Sequence, residues 1–201
     1  MPLYSESATV RPPRSVLGFA DAATVDAGTL AAWSKPGAAL GFTEVKGVRY
    51  PIKQYAFKVS QTLSRGARTD AQGLLDLKGH GFKGVANVAA EIDEGAAVKA
   101  AGLMTLRLEI APEGVPAQEQ MRKFLDFASN KSFQQVYVHG AGGTGRTGVA
   151  VACYRMAVQG WPADDALTEA TKFGLTLDAQ IDFLEEFYDD LLAGKIKGYG
   201  Q

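Results

Sequence analysis

From about residue 50 the chain alternates short apolar runs with stretches of helical period, and the two patterns separate cleanly. FKVSQTL (57–63) reads as a strand, Arg65-Gly66-Ala67-Arg68 as a loop, and Asp70–Lys78 as a helix carrying Leu74, Leu75 and Leu77. Gly84–Ala89 predicts a second strand, Glu94–Ala101 a helix, and Met104–Ile110 a third strand. The Pro/Gly loop Ala111–Pro116 then opens a helix whose Met121, Phe124, Leu125 and Ala128 share one face. Gln135–His139 is a last short strand. Everything after it is helical in pattern: Arg146–Gln159, Ala163–Lys172, and Asp178–Leu192 with Ile181, Leu184, Phe187, Tyr188 and Leu191 on one side. Strands alternating with helices predict an α/β fold, a central and mostly parallel sheet flanked by helices. Residues 1–45 lack this periodicity and read as an N-terminal extension with at most a short helix near Thr29–Trp33, leaving 46–201 as the single domain.

Composition narrows the partners more than the chemistry. With 21 Lys+Arg against 22 Asp+Glu over 201 residues, no overall field favours nucleic acid or an anionic membrane surface. No apolar run is long enough for membrane insertion, and the N-terminal MPLYSESATVRPPRS lacks a basic start followed by an apolar stretch. Cytoplasm and periplasm both remain open. The lone Cys153 excludes an internal disulfide framework and a cysteine-rich metal site. No metal site and no cofactor are expected.

The chemistry concentrates in Val136-Tyr-Val-His-Gly-Ala-Gly-Gly-Thr-Gly-Arg-Thr-Gly148, a strand running into a glycine-rich turn and then a helix. Three anion-binding patterns fit. Gly143-x-Gly145-x-x-Gly148 matches a dinucleotide fingerprint, and Gly140-x4-Gly145-Arg146-Thr147 matches a Walker A loop with Arg in place of Lys. Both draw on one mechanism, glycines letting successive backbone N–H groups converge on phosphate oxygens beside a helix N-terminus. The dinucleotide pattern needs a following strand that ends in an acid, and the Walker pattern a later strand carrying a metal-binding Asp. No strand follows this loop, which disfavours both.

The third pattern is His139-Gly140-x5-Arg146-Thr147-Gly148, which resembles the His-Cys-x5-Arg-Ser/Thr-Gly signature of the cysteine-dependent tyrosine/dual-specificity phosphatases. The likeness extends to VSQTLSRGARTDAQGLLDLKGHGFKGVANVAAE before the loop and YRMAVQGWPADDALTEA after it, covering roughly residues 50–192. It implies a phosphatase-type α/β domain hydrolysing phosphomonoesters through a phosphocysteine. The nucleophile's position is held by Gly140. By the resemblance, the amides of Ala141, Gly142, Gly143, Thr144 and Gly145 and the Arg146 guanidinium would hold a phosphoryl group. His139 would support the loop and help to set the thiolate's ionisation, and Thr147 would hydrogen-bond the sulfur. Each has a plainer role available, a strand-end histidine and a first-turn hydroxyl serving an orphan amide.

The family's general acid is an Asp on a loop before the nucleophile. LEIAPEGVPAQ offers only Glu109 and Glu113, and Glu113, on the loop itself, is the better candidate. Trp161-Pro162-Ala163-Asp164 imitates an acid-loop motif but follows the phosphate loop, so Pro162 is read as a first-turn helix residue. Cys153 lies on the order of 10 Å further along the helix than Arg146 and reads as a packed core thiol.

Charge supplies one local asymmetry. Lys46, Arg49, Lys53, Lys58, Arg65 and Arg68 follow one another with no acid among them, and the stretch 164–190 is strongly acidic. A solvated basic face is the plainer explanation; the sharper one is a rim of Lys53, Arg65 and Arg68 drawing a polyanion such as an inositol polyphosphate. Phosphotyrosine is the competing ligand, because loop positions 141–145 carry no Lys or Arg. Three function classes follow: a phosphatase inactive for want of its nucleophile, a pseudophosphatase that binds phosphorylated ligands, and a nucleotide-binding protein.

Overall fold

The computed structural model describes residues 43–45, 48–50, 57–132 and 135–200. Lys53 and the short helix expected near Thr29–Trp33 lie outside the described residues. Strands β1 (Thr43–Val45) and β2 (Val48–Tyr50) pair antiparallel as a two-stranded ribbon. The main sheet has five strands, β3 (Phe57–Lys58), β4 (Leu63–Gly66), β5 (Gly84–Asn87), β6 (Met104–Arg107) and β7 (Val136–His139), in the order β3-β4-β7-β5-β6. Strands β4, β7, β5 and β6 run parallel, and only β3 is antiparallel. This is the mostly parallel sheet expected from the sequence.

Among the described residues six helices flank it: α1 (Ala71–Gly79), α2 (Gly95–Ala100), α3 (Gln118–Ala128), α4 (Gly145–Gln159), α5 (Ala163–Lys172) and α6 (Asp178–Leu192). The period of two along β7 sorts the core. Val136 and Val138 enter the large cluster built with α3 to α6, whereas Tyr137 enters the smaller one with Leu74, Leu77, Phe82 and Val98. Helix α4 is buried from Arg146 to Met156, a central helix wrapped by α3, α5, α6 and the sheet. Its Cys153 is fully buried, and burial pushes the thiol well above its ordinary range.

Two expectations change in detail, and the strand expected over Met104–Ile110 closes at Arg107. The predicted strand 57–63 is a hairpin instead: the Val59 and Ser60 amides both donate to the Leu63 carbonyl (2.8 and 2.9 Å), and the Ser60 hydroxyl accepts from the Thr62 and Leu63 amides (3.1 and 3.0 Å). A serine that caps local amides competes with extended pairing, so the chain folds back there. Consequently Arg65 and Gly66, expected in a loop, are strand residues of β4. Strand β5 likewise ends at Asn87, whose side chain accepts from the Ala89 amide (2.8 Å) and donates to the Ile92 carbonyl (2.9 Å), turning the chain before Ala89.

Parallel register places the strand ends together. Gly66 and Asn87 both pair with His139, so the loops after β4, β5 and β7 leave the sheet at one level. In an open parallel sheet that edge is where ligands bind.

Candidate functional site

The loop between β7 and α4 closes on itself. The Gly140 amide donates to the Thr147 hydroxyl (2.7 Å), joining the first residue of the turn to the first turn of the helix. Outside this ring, donors from three directions hold the loop carbonyls. His139 Nδ1 lies 3.0 Å from the Gly140 carbonyl, the Arg68 amide donates to Ala141 O (3.2 Å), Arg65 Nη2 to Gly143 O (2.8 Å), and the Gly148 amide to Thr144 O (2.6 Å). In a trans peptide the N–H points opposite to the C=O. Holding those four carbonyls outward therefore turns the amides of Ala141, Gly142, Thr144 and Gly145 inward.

No amide from Ala141 to Thr147 donates to any described residue. Seven successive N–H groups without an acceptor, three of them in the first turn of a 15-residue helix, make a strongly positive concavity. The cleft over them, about 260 Å³, is walled by Pro112, Gly174, Thr176, Leu177 and Gln180. Gly143 permits this shape: its φ is +76°, and a Cβ there would lie 2.6 Å from the Gly66 carbonyl carbon and 2.8 Å from the Ala67 nitrogen.

Arg146 is the one charged residue lining the cleft among the described residues. Its guanidinium is anchored end-on, Nη1 to Glu91 Oε2 (2.7 Å) and to the Ile110 carbonyl (2.7 Å), and Nη2 to Glu91 Oε1 (2.5 Å). The Arg146 bonds hold the Glu91 carboxyl down at about 2. A guanidinium has a second fork, formed by Nε–H and the outer Nη2–H, and this side edge carries no bond to any described residue. Arg146 thus uses one edge for its anchor, and the other has no partner among the described residues.

Glu91 and Glu94 both ride the loop after β5. Glu94 Oε1 lies 2.6 Å from His139 Nε2, and His139 is fully buried under the stacked ring of Tyr137, 5.6 Å between centroids. His139 therefore ties the β5 loop to the phosphate loop. Glu113 is exposed, next to the wall residue Pro112, with no partner among the described residues; Glu109 instead faces Arg107 at 3.2 Å. Pro162 is the cap immediately before α5.

The rim expectation is corrected at Arg65. It is fully buried, stacked 4.3 Å over the Phe173 ring, because β4 is an interior strand that directs it beneath the loop. Arg68 remains exposed beside the loop, whose Ala141 it holds through its backbone. Sequence reasoning passed over Glu91, Glu94 and Gln180. The acids at the end of β5 had a readable signal, their place at the C-terminal edge of a predicted parallel strand. Gln180, buried in the first turn of α6, donates to the Gly114 carbonyl (2.8 Å) and so pins the wall loop.

A family model described as a DSP-PTPase phosphatase fused to NAD+ kinase matches residues 44–180. No curated protein sequence matches the chain. Among solved structures, PTPMT1 superposes with a TM-score of 0.60 at 24% identity, over 70% of this chain and 98% of its own. A variant of P. aeruginosa TpbA, solved in complex with pTyr, gives 0.55 at 23%, over 81% and 92%. The core catalytic domain of the PP-IP phosphatase SIW14 from S. cerevisiae gives 0.56 at 16%, over 69% and 91%. At these identities the likeness establishes the fold. No helix among the described residues is long and apolar enough to cross a membrane.

Proposed function

Because the chain belongs to the family of dual-specificity-type phosphatase domains described as fused to NAD+ kinase, we propose that its loop holds the phosphoryl group of a phosphomonoester without forming a phosphoenzyme. The observation that carries this reading is the set of seven unpartnered amides, Ala141 to Thr147, beneath the free side edge of Arg146. Those groups complement three phosphoryl oxygens and leave the ester oxygen facing the open mouth. At position 140, where the family places a thiolate, there is no atom beyond Cα to attack phosphorus. Recognition is retained and bond cleavage is not.

The walls bear on the ligand. Pro112, Gly174, Thr176 and Leu177 include no aromatic ring and no second cation, so the cleft takes one phosphoryl group and any further anionic group must be met outside it. Arg68, exposed beside the loop, is the cation assigned to that role, and the sequence offers Lys53 as a second candidate. Solved neighbours carry pTyr or PI(5)P, and SIW14 is described as a PP-IP phosphatase; phosphotyrosine and inositol phosphates are accordingly the two ligand classes to test. NADP+ joins the panel because the family description couples the domain to NAD+ kinase.

Calorimetric titration with sulfate, a phosphotyrosine peptide, inositol hexakisphosphate and NADP+ tests the reading. Arg146→Ala should weaken every ligand by about a hundredfold, the effect of a lost bidentate charge-assisted pair. Affinities that ignore Arg146→Ala would place binding elsewhere. A Lys53→Ala/Arg68→Ala double variant should weaken inositol hexakisphosphate selectively if the rim operates, and weaken all ligands equally little if it does not. The unaltered chain should leave p-nitrophenyl phosphate unhydrolysed.

A further inference from the structure

We propose that Arg65 is a positioning residue that presets the anion affinity of the phosphate loop from behind. The inference rests on the reading of that loop as a phosphoryl site. Arg65 sits on β4 opposite Val138, one step before the rung at which His139 of β7 passes into the loop. Its Nη2 donates to the Gly143 carbonyl at 2.8 Å and lies 3.5 Å from the Thr144 carbonyl. The Phe173 ring backs the guanidinium at 4.3 Å and keeps it from swinging away.

Peptide geometry converts those two contacts into control of two ligand-facing donors. The Gly143 carbonyl shares its peptide with the Thr144 amide, and the Thr144 carbonyl shares its peptide with the Gly145 amide. A guanidinium that draws both carbonyls outward aims both N–H groups into the cleft. The segment most needs this help, because Gly142, Gly143 and Gly145 lose more freedom on ordering than any other residue type. A loop ordered before the anion arrives binds it more tightly than one ordered by it. Arg65 also meets the loop at the point of closest backbone approach, since Gly143 lies against Gly66 and Ala67.

The test is sulfate binding by calorimetry, with ¹⁵N-labelled chain to follow the amides singly. Arg65→Met should weaken sulfate by roughly ten- to hundredfold, the range for a hydrogen bond to a charged group. Sulfate-induced shifts should shrink most at Thr144, less at Gly145, whose peptide carbonyl the Gly148 amide also holds at 2.6 Å, and persist at Ala141 and Gly142, whose peptide carbonyls are held by His139 and Arg68. Arg65→Lys, which keeps a cationic donor on a shorter side chain, should recover part of the loss. If Arg65→Met fails to fold, Arg65→Lys and Phe173→Leu carry the test at temperatures where circular dichroism shows them folded. Folded variants that bind sulfate within twofold of the unaltered chain, however much their Tm falls, would overturn the inference and leave the phosphoryl reading standing. An unaltered chain that binds no sulfate would overturn both.

Discussion

Gly140→Cys places a thiol at the centre of the amide ring, and the structure sets its consequences. A Cβ at 140 would meet Thr147 Oγ1 at 3.2 Å, Val88 Cγ2 at 3.8 Å and Arg146 Cβ at 3.9 Å, so one hydroxyl must yield by a few tenths of an ångström. The backbone there is not in the left-handed region, and replacing a glycine of compatible conformation stabilises by about 0.4–1 kcal/mol through the unfolded chain. The crowding offsets this. Net stability should stay within about 1 kcal/mol, a Tm shift of under ~4 °C for a chain of this size. Seven amides, the helix end and Arg146 all favour the thiolate, which moves a cysteine from ~8.5 into a range of about 3.5–7.5. For a thiol at ~5.5, the ionised fraction at pH 6 rises by about 240-fold over an ordinary cysteine, while the lower intrinsic nucleophilicity gives back about twentyfold. Alkylation by iodoacetamide at pH 6 should therefore run about tenfold faster than for an unperturbed thiol. Cys153 is fully buried with its thiol pushed upward, so it stays silent in the native protein. Slow hydrolysis of p-nitrophenyl phosphate should appear with the fast thiol, since a good leaving group needs little help from an acid. An alkylation rate that titrates near 8.5 would refute the electrostatic reading of the loop, whatever the turnover.

Gly143→Ala and Gly142→Ala should differ sharply: at 143 a Cβ meets the Gly66 backbone at 2.6 Å with φ at +76°, and at 142 it meets only Thr144 Oγ1 at 3.8 Å. The first should cost about 1–3 kcal/mol in chemical denaturation and lose sulfate binding, and the second should do neither. Thr147→Val removes the acceptor of the buried Gly140 amide and should cost about 1–3 kcal/mol, with Thr147→Ser largely unaffected. Glu91 is a carboxyl whose folded value is depressed to about 2 from 4.5, so its contribution is present above about 4.5 and lost as pH falls through 2. With its side chain 40% exposed, that contribution is at most about 1 kcal/mol. Denaturation of Glu91→Gln against the parent should show a gap at pH 6 that closes toward pH 2.

What the sequence made legible was whatever one segment specifies by itself. The glycines of the loop, the small apolar run Val149–Cys153 that lets α4 sit buried on all sides, and the alternation at Val136–His139 each carry their meaning locally. Arg65 was misread because Arg-Gly-Ala-Arg has the composition of a turn; only the register of β4 against β7 shows that its side chain points inward beneath the loop. The anchoring of Arg146 was hidden for a related reason. Glu91 precedes it by 55 positions, and nothing local to either residue announces the pair. Buried ionic partners are selected by tertiary geometry, which periodicity does not encode.

The bond from the Gly140 amide to the Thr147 hydroxyl closes the loop with one backbone donor and one helix side chain, and with no contribution from a side chain at 140. Capture and chemistry are therefore separable in this architecture. A chain of the proposed kind returns its ligand unchanged, so its effect on a phosphorylated molecule scales with its own abundance and with residence time, never with turnover. One copy of such a chain would shield one phosphate, for as long as its amides held it, from any active enzyme competing for the same group.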